Sequence, residues 1–238
     1  ISSGGTAQPV VTPGKVESFR GNDYATFDGI DDYVDIPGTV AITNFAVEVK
    51  FRTTNGGSQN FISGVNAGQY IGIGGNTANR LSWFDFTSWK NSTTDVNDGE
   101  WHIAKFVFDS GDHEIWLDGV LENSFSSVLT SGLLDIIAEL NTGGRNFDGD
   151  MEYLKISSAD ETTVIREYIF DASQSNPGTF IEDTSGNGNH GTAVNIDETT
   201  FWGIASSPGT LWDLQLSDGS IYPLAEGAGS TVYDVSGN

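Results

Sequence analysis

The 238-residue chain has no cysteine, which excludes a disulfide framework, a thiolate metal site and a cysteine nucleophile. Basic residues are scarce, with 10 Lys and Arg against 33 Asp and Glu, a formal charge of -23 at pH 7. Nucleic-acid backbones and anionic membranes both call for a positive surface, so neither is an expected partner. No apolar run approaches the roughly 20 residues of a membrane-spanning helix, so no membrane insertion is expected. Ile1 to Pro9 lack the basic and apolar regions of a secretion signal, but the chain does not start with Met, which leaves export open. Stability must come from packing, helped if at all by a hard metal ion.

What the chain does have is turn chemistry. Thirty Gly, with many Asn, Asp and Ser, punctuate short apolar segments, the pattern of an antiparallel sandwich. Phe45, Val47, Val49 and Phe51 alternate with polar or small residues, giving one buried and one wet strand face. Trp101 to Phe108 is apolar on both faces, as in a central strand. His113 to Asp118 runs into Gly119, an Asp-Gly signal for a tight hairpin turn. Further strands are expected at 24–27, 33–36, 61–64, 70–73, 81–86, 151–156 and 164–170. Leu133 to Leu140 reads as a strand or two turns of helix; its short length and turn-rich flanks favour the strand. About a dozen short strands without a long helix predict an all-β, two-sheet antiparallel jelly-roll sandwich. Phe45, Val47, Val49, Phe51, Ile103 and Leu117 are expected in its core, and Trp101 and Trp116 in packing.

The run Asp183 to Thr192 returns in part near the end. Asp183, Ser185, Gly186 and Asn187 match Asp234, Ser236, Gly237 and Asn238, with Tyr168 to Asp171 and Tyr222 to Gly227 preceding the two copies. The expected organisation is an N-terminal extension over 1–15, a sandwich over 16–195, and over 196–238 a connection and the start of a further unit. Ile221 to Leu224 and Thr231 to Tyr233 are strand-like within that last segment.

Four ordered segments, Phe27 to Pro37, Phe45 to Thr53, Trp101 to Asp109 with Trp116 to Gly119, and Phe147 to Ile156, resemble the laminin-G-like, concanavalin A-like domains. The resemblance covers about residues 16–170. It implies a jelly roll used for carbohydrate or protein adhesion, often with calcium. The Asp183 to Thr192 run and Tyr222 to Asp234 are similar to segments flanking such domains in bacteriophage tail and virion proteins and in bacterial surface proteins.

Catalytic patterns are poor. Sandwich glycoside hydrolases need paired carboxylates across the scissile bond. Glu114, Asp118 and Glu122 straddle a turn, and Asp148, Asp150 and Glu152 have the strand period but the wrong order. His102, His113 and His190 form no metal or nucleophile constellation. Calcium needs six to eight oxygens. Asp28, Asp31 and Asp32 form one candidate set, and Asp183, Asn187 and Asn189 another, against ordinary turn hydrogen bonding for both. For sugar contact, Leu81 to Trp89 is the aromatic candidate. Trp83 or Phe84 should face outward, Trp89 lies at the loop end, and Asp85 could bond hydroxyls. The alternative for these rings is the core.

The expected function is a non-enzymatic adhesion domain at a virion surface or outside the cell, in a tail fibre or capsid-surface component. Its partners would be other virion subunits, in an oligomeric assembly, and a host-surface glycan. A decoration or assembly module without sugar binding and a glycan-cleaving domain are the alternatives.

Overall fold

A computed structural model of the chain describes residues 22–37, 41–42, 44–64, 69–85, 88–126, 132–140, 144–171, 178–203, 212–215 and 221–224. The strands in chain order are β1 Ala25–Asp28, β2 Tyr33–Asp35, β3 Ala41–Ile42, β4 Phe45–Arg52, β5 Gln59–Ser63, β6 Gln69–Ile73 and β7 Arg80–Asp85. Then come β8 Trp89–Asp95, β9 His102–Asp109, β10 Asp112–Leu117, β11 Val120–Ser126, β12 Gly132–Leu133 and β13 Ile136–Ile137. The last are β14 Asp148–Ser158, β15 Val164–Ile169, β16 Phe180–Ile181, β17 Gly191–Val194, β18 Trp212–Gln215 and β19 Ile221–Leu224; one helix, α1 Glu198–Phe201, follows β17.

Residues 20–204 form one unit, and 1–19 with 205–238 another. In the larger unit one sheet runs β1-β14-β4-β9-β10-β11, with β15 also on β14, and the other runs β16-β17-β2-β13-β5-β6-β7-β8. Every recorded strand pair is antiparallel. The eleven-residue β14 organises the first sheet. One of its edges takes β4, while the other takes β1 at Asp148 to Met151 and β15 from Tyr153 to Ser157. This is the predicted two-sheet sandwich.

Between the sheets lies an aromatic core. On β4 the predicted Phe45, Val47, Val49 and Phe51 are buried while Glu48, Lys50 and Arg52 face out. Phe51, Phe61 and Phe147 pack together at 4.6–6.3 Å between ring centroids. Trp83 is fully buried among Phe45, Phe106, His113 and Phe125, the nearest of them His113 at 4.7 Å. The Asp-Gly hairpin signal is realised between β10 and β11. Asp118 and Gly119 both take positive φ, +50° and +79°, which a two-residue turn matching the strand twist requires.

Three expectations about packing need correction. Ile103 is 39% exposed, because β9 pairs it with the outward Lys50 and turns Ala104, Phe106 and Phe108 inward. Trp101 and Trp116 are half-buried on the outer surface of the first sheet, not core residues. Trp101 lies over Lys50 and Arg52, and the Trp116 Nε1–H donates to Glu114. That surface is laced by Arg52–Asp150, Lys50–Glu152, Lys155–Glu48 and Lys105–Glu161 ion pairs, each worth about 0–1 kcal/mol where exposed.

Leu133 to Leu140 is not one strand. It holds the end of β12, then β13, then a turn at Ala138 with φ +70°. The larger unit also runs past residue 195. Asp197 caps α1 by accepting from the Thr199 and Thr200 N–H groups, and Phe201 packs edge-on to Phe27 at 4.9 Å. In the smaller unit β18 and β19 form an antiparallel pair, Trp212 opposite Leu224. Thr231 to Tyr233 and the second motif copy, Asp234 to Asn238, lie outside the described residues.

The two sides of β9 and β4 should respond differently to truncation. Phe51→Ala is expected to destabilise by about 3–5 kcal/mol, as for large aromatic deletions in cores, and Ile103→Ala by under about 1 kcal/mol. Urea unfolding of the two variants checks this.

Candidate functional site

The outer surface of the second sheet carries a row of rings built by strand register. Tyr70 on β6 is directly opposite Phe84 on β7, which is opposite Trp89 on β8, so all three share one face. The Trp89 indole sits 4.9 Å from both the Tyr70 and Phe84 rings. Gly75 gives it room: a Cβ there would lie 2.0 Å from Trp89 Cζ3. Tyr70 is buried beneath, its hydroxyl taking the Gln59 N–H at 3.0 Å and facing the carbonyls of Gln59 and Ile73. Burial raises its pKa to about 12, so it stays a neutral phenol.

Above this row lies Arg145, its guanidinium carbon 5.2 Å from the Tyr70 centroid and 5.6 Å from that of Trp89. It projects from the segment joining β13 to β14, anchored where the Asn60 N–H donates to the Arg145 carbonyl at 2.8 Å and Phe147 N–H to Ala138 at 2.8 Å. Arg145 and Ala138 take φ of +57° and +70°. For L-residues this conformation costs roughly 1–2 kcal/mol each, and such strain tends to mark functional positions. The same segment carries Glu139, whose pKa is pushed up by burial against an opposing hydrogen bond from the Gly144 backbone, with a smaller push from the Asp31 charge.

Of the predicted sugar contacts, only Trp89 is on this surface. Trp83 is the neighbour that turned inward, and its place in the core removes it from any ligand. Asp85 is also buried; its Oδ1 accepts from the Ser88 N–H at 2.7 Å and holds the connection into β8. Tyr70 and Arg145 were missed. Tyr70 needed the β6–β7 register, and Arg145 is 56 residues from Trp89 along the chain (145 − 89).

The first acidic set is gathered. Ligand oxygens of Asp28, Asp31 and Asp32 all lie within 4.8 Å of one another. Asp32 is buried and the other two are exposed. Burial first, then the neighbouring charge of Asp28, Asp31 and Asp197, raises the Asp32 pKa to about 6. Part of the set serves the turn, as Asp28 Oδ1 accepts from the Ile30 N–H at 2.8 Å and Asp32 Oδ2 from the Asp28 N–H at 3.2 Å. The remaining carboxylate oxygens are hard donors that suit calcium.

The second set is consumed internally. Asp183 Oδ1 accepts from the N–H groups of Glu167 and Ser185 and from the Ser185 hydroxyl, and Oδ2 accepts from the Asn189 N–H. Burial acts to raise the Asp183 pKa, but these bonds outweigh it and hold it low. Asn187 Nδ2 donates to the Val164 and Ile165 carbonyls. Asp183, Asn187 and Asn189 thus tie their loop to β15, which is turn chemistry and not a ligand cage.

The carboxylate arrays are likewise engaged. Asp150 takes Arg52 and the Thr26 hydroxyl, Glu152 takes Lys50, and Glu122 accepts from the Thr93 and Thr94 N–H groups. His113 is packed against Trp83, Phe108 and Phe125, with its pKa lowered by burial. His190 accepts the Asp183 N–H at Nδ1.

No family model matches the chain, and no curated protein matches it by sequence. Solved structures do. A candidate carbohydrate-binding protein from Bacteroides ovatus superposes with TM-score 0.60 at 17% identity, over 73% of this chain and 58% of that protein. The chain therefore spans under two thirds of that protein's length. The likeness fits the two-sheet antiparallel jelly-roll sandwich described above. A heptameric SAP-like pentraxin from Limulus polyphemus is a more distant likeness, with TM-score 0.45, 13% identity and coverage of 56% and 74%. Mouse laminin α1 domains LG4-5 align at TM-score 0.44 and 14% identity, covering 67% and 48%. At these identities the likeness is one of fold.

His102 makes stability depend on pH. Its Nδ1 meets Asp118 at 2.8 Å and its Nε2 meets Asp98 at 3.1 Å, a pairing complete only when both nitrogens carry protons. Burial acts to lower its pKa, but the two carboxylates outweigh this and raise it above 6.5. The contribution is thus fully present below pH 6.5 and is lost as pH rises through the folded-state pKa. His102→Gln should destabilise most in acid-side denaturant titrations and progressively less toward pH 9.

Proposed function

We propose that the chain is a non-enzymatic carbohydrate-binding adhesion domain, whose sugar stacks on the Trp89 and Phe84 rings. The observation that carries this is the half-exposed Phe84 and Trp89 pair on the outer surface of the second sheet, with Tyr70 buried beneath it. Sugar rings present apolar C–H faces that stack on an indole while nearby donors meet the hydroxyls. Among the described residues the Trp89 Nε1–H has no acceptor, which leaves it for a ligand. The fold shared with a candidate carbohydrate-binding protein supports the same reading.

Its setting in this reading is an exposed one, on a phage tail fibre or capsid surface, contacting other virion subunits and a host glycan. Several copies on one particle would convert weak single sites into avidity. A decoration or assembly module is the second reading, favoured by the charge-paired outer surface of the first sheet, where Ile103 and Leu121 are exposed. A glycan array with the wild-type chain and the Trp89→Ala and Gly75→Ala variants separates the two. Adhesion requires hits that Trp89→Ala weakens about tenfold or more and that Gly75→Ala also weakens by displacing the indole. Absence of any hit, with normal assembly, favours decoration.

Calcium belongs to this proposal as the ion held by Asp28, Asp31 and Asp32. A ligand bound only by the folded state at a hundred times its Kd stabilises by about 2.7 kcal/mol. Thermal unfolding midpoints should rise in calcium relative to chelator at matched ionic strength. The rise should shrink below about pH 6, where Asp32 holds a proton that calcium must displace, and Asp32→Asn should abolish it. Coincident melts at pH 7.5 would remove calcium from the account.

A further inference from the structure

We infer that the saccharide bound at the aromatic row carries an isolated carboxylate, as on a single uronic acid within an otherwise neutral sugar chain, and that Arg145 receives it. This rests on the carbohydrate reading and names its ligand class.

The charge pattern sets Arg145 apart from most of the described cations; Lys90, which lies over the Phe125 ring at 5.2 Å, also has no carboxylate partner among the described residues, but it is only half-exposed. In a chain of net charge -23, Lys50, Arg52, Arg80, Lys105 and Lys155 each sit on a carboxylate at 2.5–2.9 Å. Arg145 is exposed and has no carboxylate within ion-pair distance among the described residues. It rests instead on the Tyr70 and Trp89 rings. A guanidinium stacked on rings still has its N–H donors, which lie in its own plane, for another acceptor. Its backbone is held at φ +57° by the bonds of the β13–β14 segment, so the cation is presented from a strained, anchored position. The match for a planar fork of donors is a carboxylate bound through two parallel hydrogen bonds.

The surroundings set how much acid the ligand can carry. Glu139 lies on the segment that bears Arg145, where it also feels the charge of Asp31 in the acidic turn. At physiological salt the screening length is about 8 Å. One anionic group seated on Arg145 is attracted at short range, whereas a polymer charged at every sugar brings further anions against an acidic surface. The site therefore favours sparse acidity and disfavours dense polyanions.

The test uses the intact chain and matched probes: oligosaccharides with one glucuronate per several neutral sugars, the same oligosaccharides after carboxyl reduction, and polyglucuronate. Titration calorimetry should show binding of an acidic probe about ten- to a hundredfold tighter than its reduced form, the range for a hydrogen-bonded charge. Arg145→Ala should erase that preference, so that the acidic and reduced probes bind alike, and Arg145→Lys should restore only part of it. Polyglucuronate should bind more weakly than the sparse probe. Equal binding of acidic and reduced probes by the wild type would overturn the inference, as would an equal loss for both in Arg145→Ala, or preference for polyglucuronate. Trp89→Ala reports on the parent reading separately: if it leaves binding of both probes intact, the aromatic row is not the sugar site at all.

Discussion

The phase of one strand governs the surface this protein presents. Strand side chains alternate strictly, so burying Trp83 between Phe106, His113 and Phe125 compels Phe84 to face the other way. Register then carries that choice sideways to Tyr70 and Trp89. A slip by one residue would put Phe84 inside and Trp83 outside and dismantle both the core and the ring row. The energy that prevents it comes from the interior, where a large aromatic side chain commonly contributes about 3–5 kcal/mol. The outward row exists because of packing it takes no part in.

The β13–β14 connection joins the two candidate features. Glu139 feels the charge of Asp31 in the acidic turn, Arg145 lies beside Tyr70 and Trp89, and the Glu139 carbonyl is fixed by Asn60 Nδ2 and the Ser63 hydroxyl at 3.1 and 2.7 Å. A cation held by Asp28, Asp31 and Asp32 would reduce the negative field near Glu139. On the proposed reading, ion binding and ligand binding would be coupled through electrostatics without any rearrangement of the sheet.

Alternation made much of the fold legible. Phe45 to Arg52 and the Asp118-Gly119 turn announce their conformations locally, and both form as read. Ile103 did not, because a strand apolar on both sides carries no phase of its own; its partner Lys50 supplies it. Trp101 and Trp116 failed for a related reason, since a ring that covers lysine and arginine stems at the surface is written with the same letter as one in the core. The candidate sites divide along similar lines. The clustering of Asp28, Asp31 and Asp32 follows from one short turn and could be read from spacing. Asp183 shares that residue chemistry, yet its donors include Glu167 and Asn189, which only the folded loop brings to it. Arg145 reaches Trp89 through topology alone.

The central claim is that the ligand meets the outer surface of the second sheet at Trp89. The most direct measurement is heteronuclear NMR of the indole N–H signals of the six tryptophans during titration with a saccharide that the chain binds. The account predicts that the Trp89 signal shifts with ligand concentration while that of the buried Trp83 stays in place. A stationary Trp89 signal beside a shifting Trp101 or Trp116 would contradict it and move the site to the first sheet.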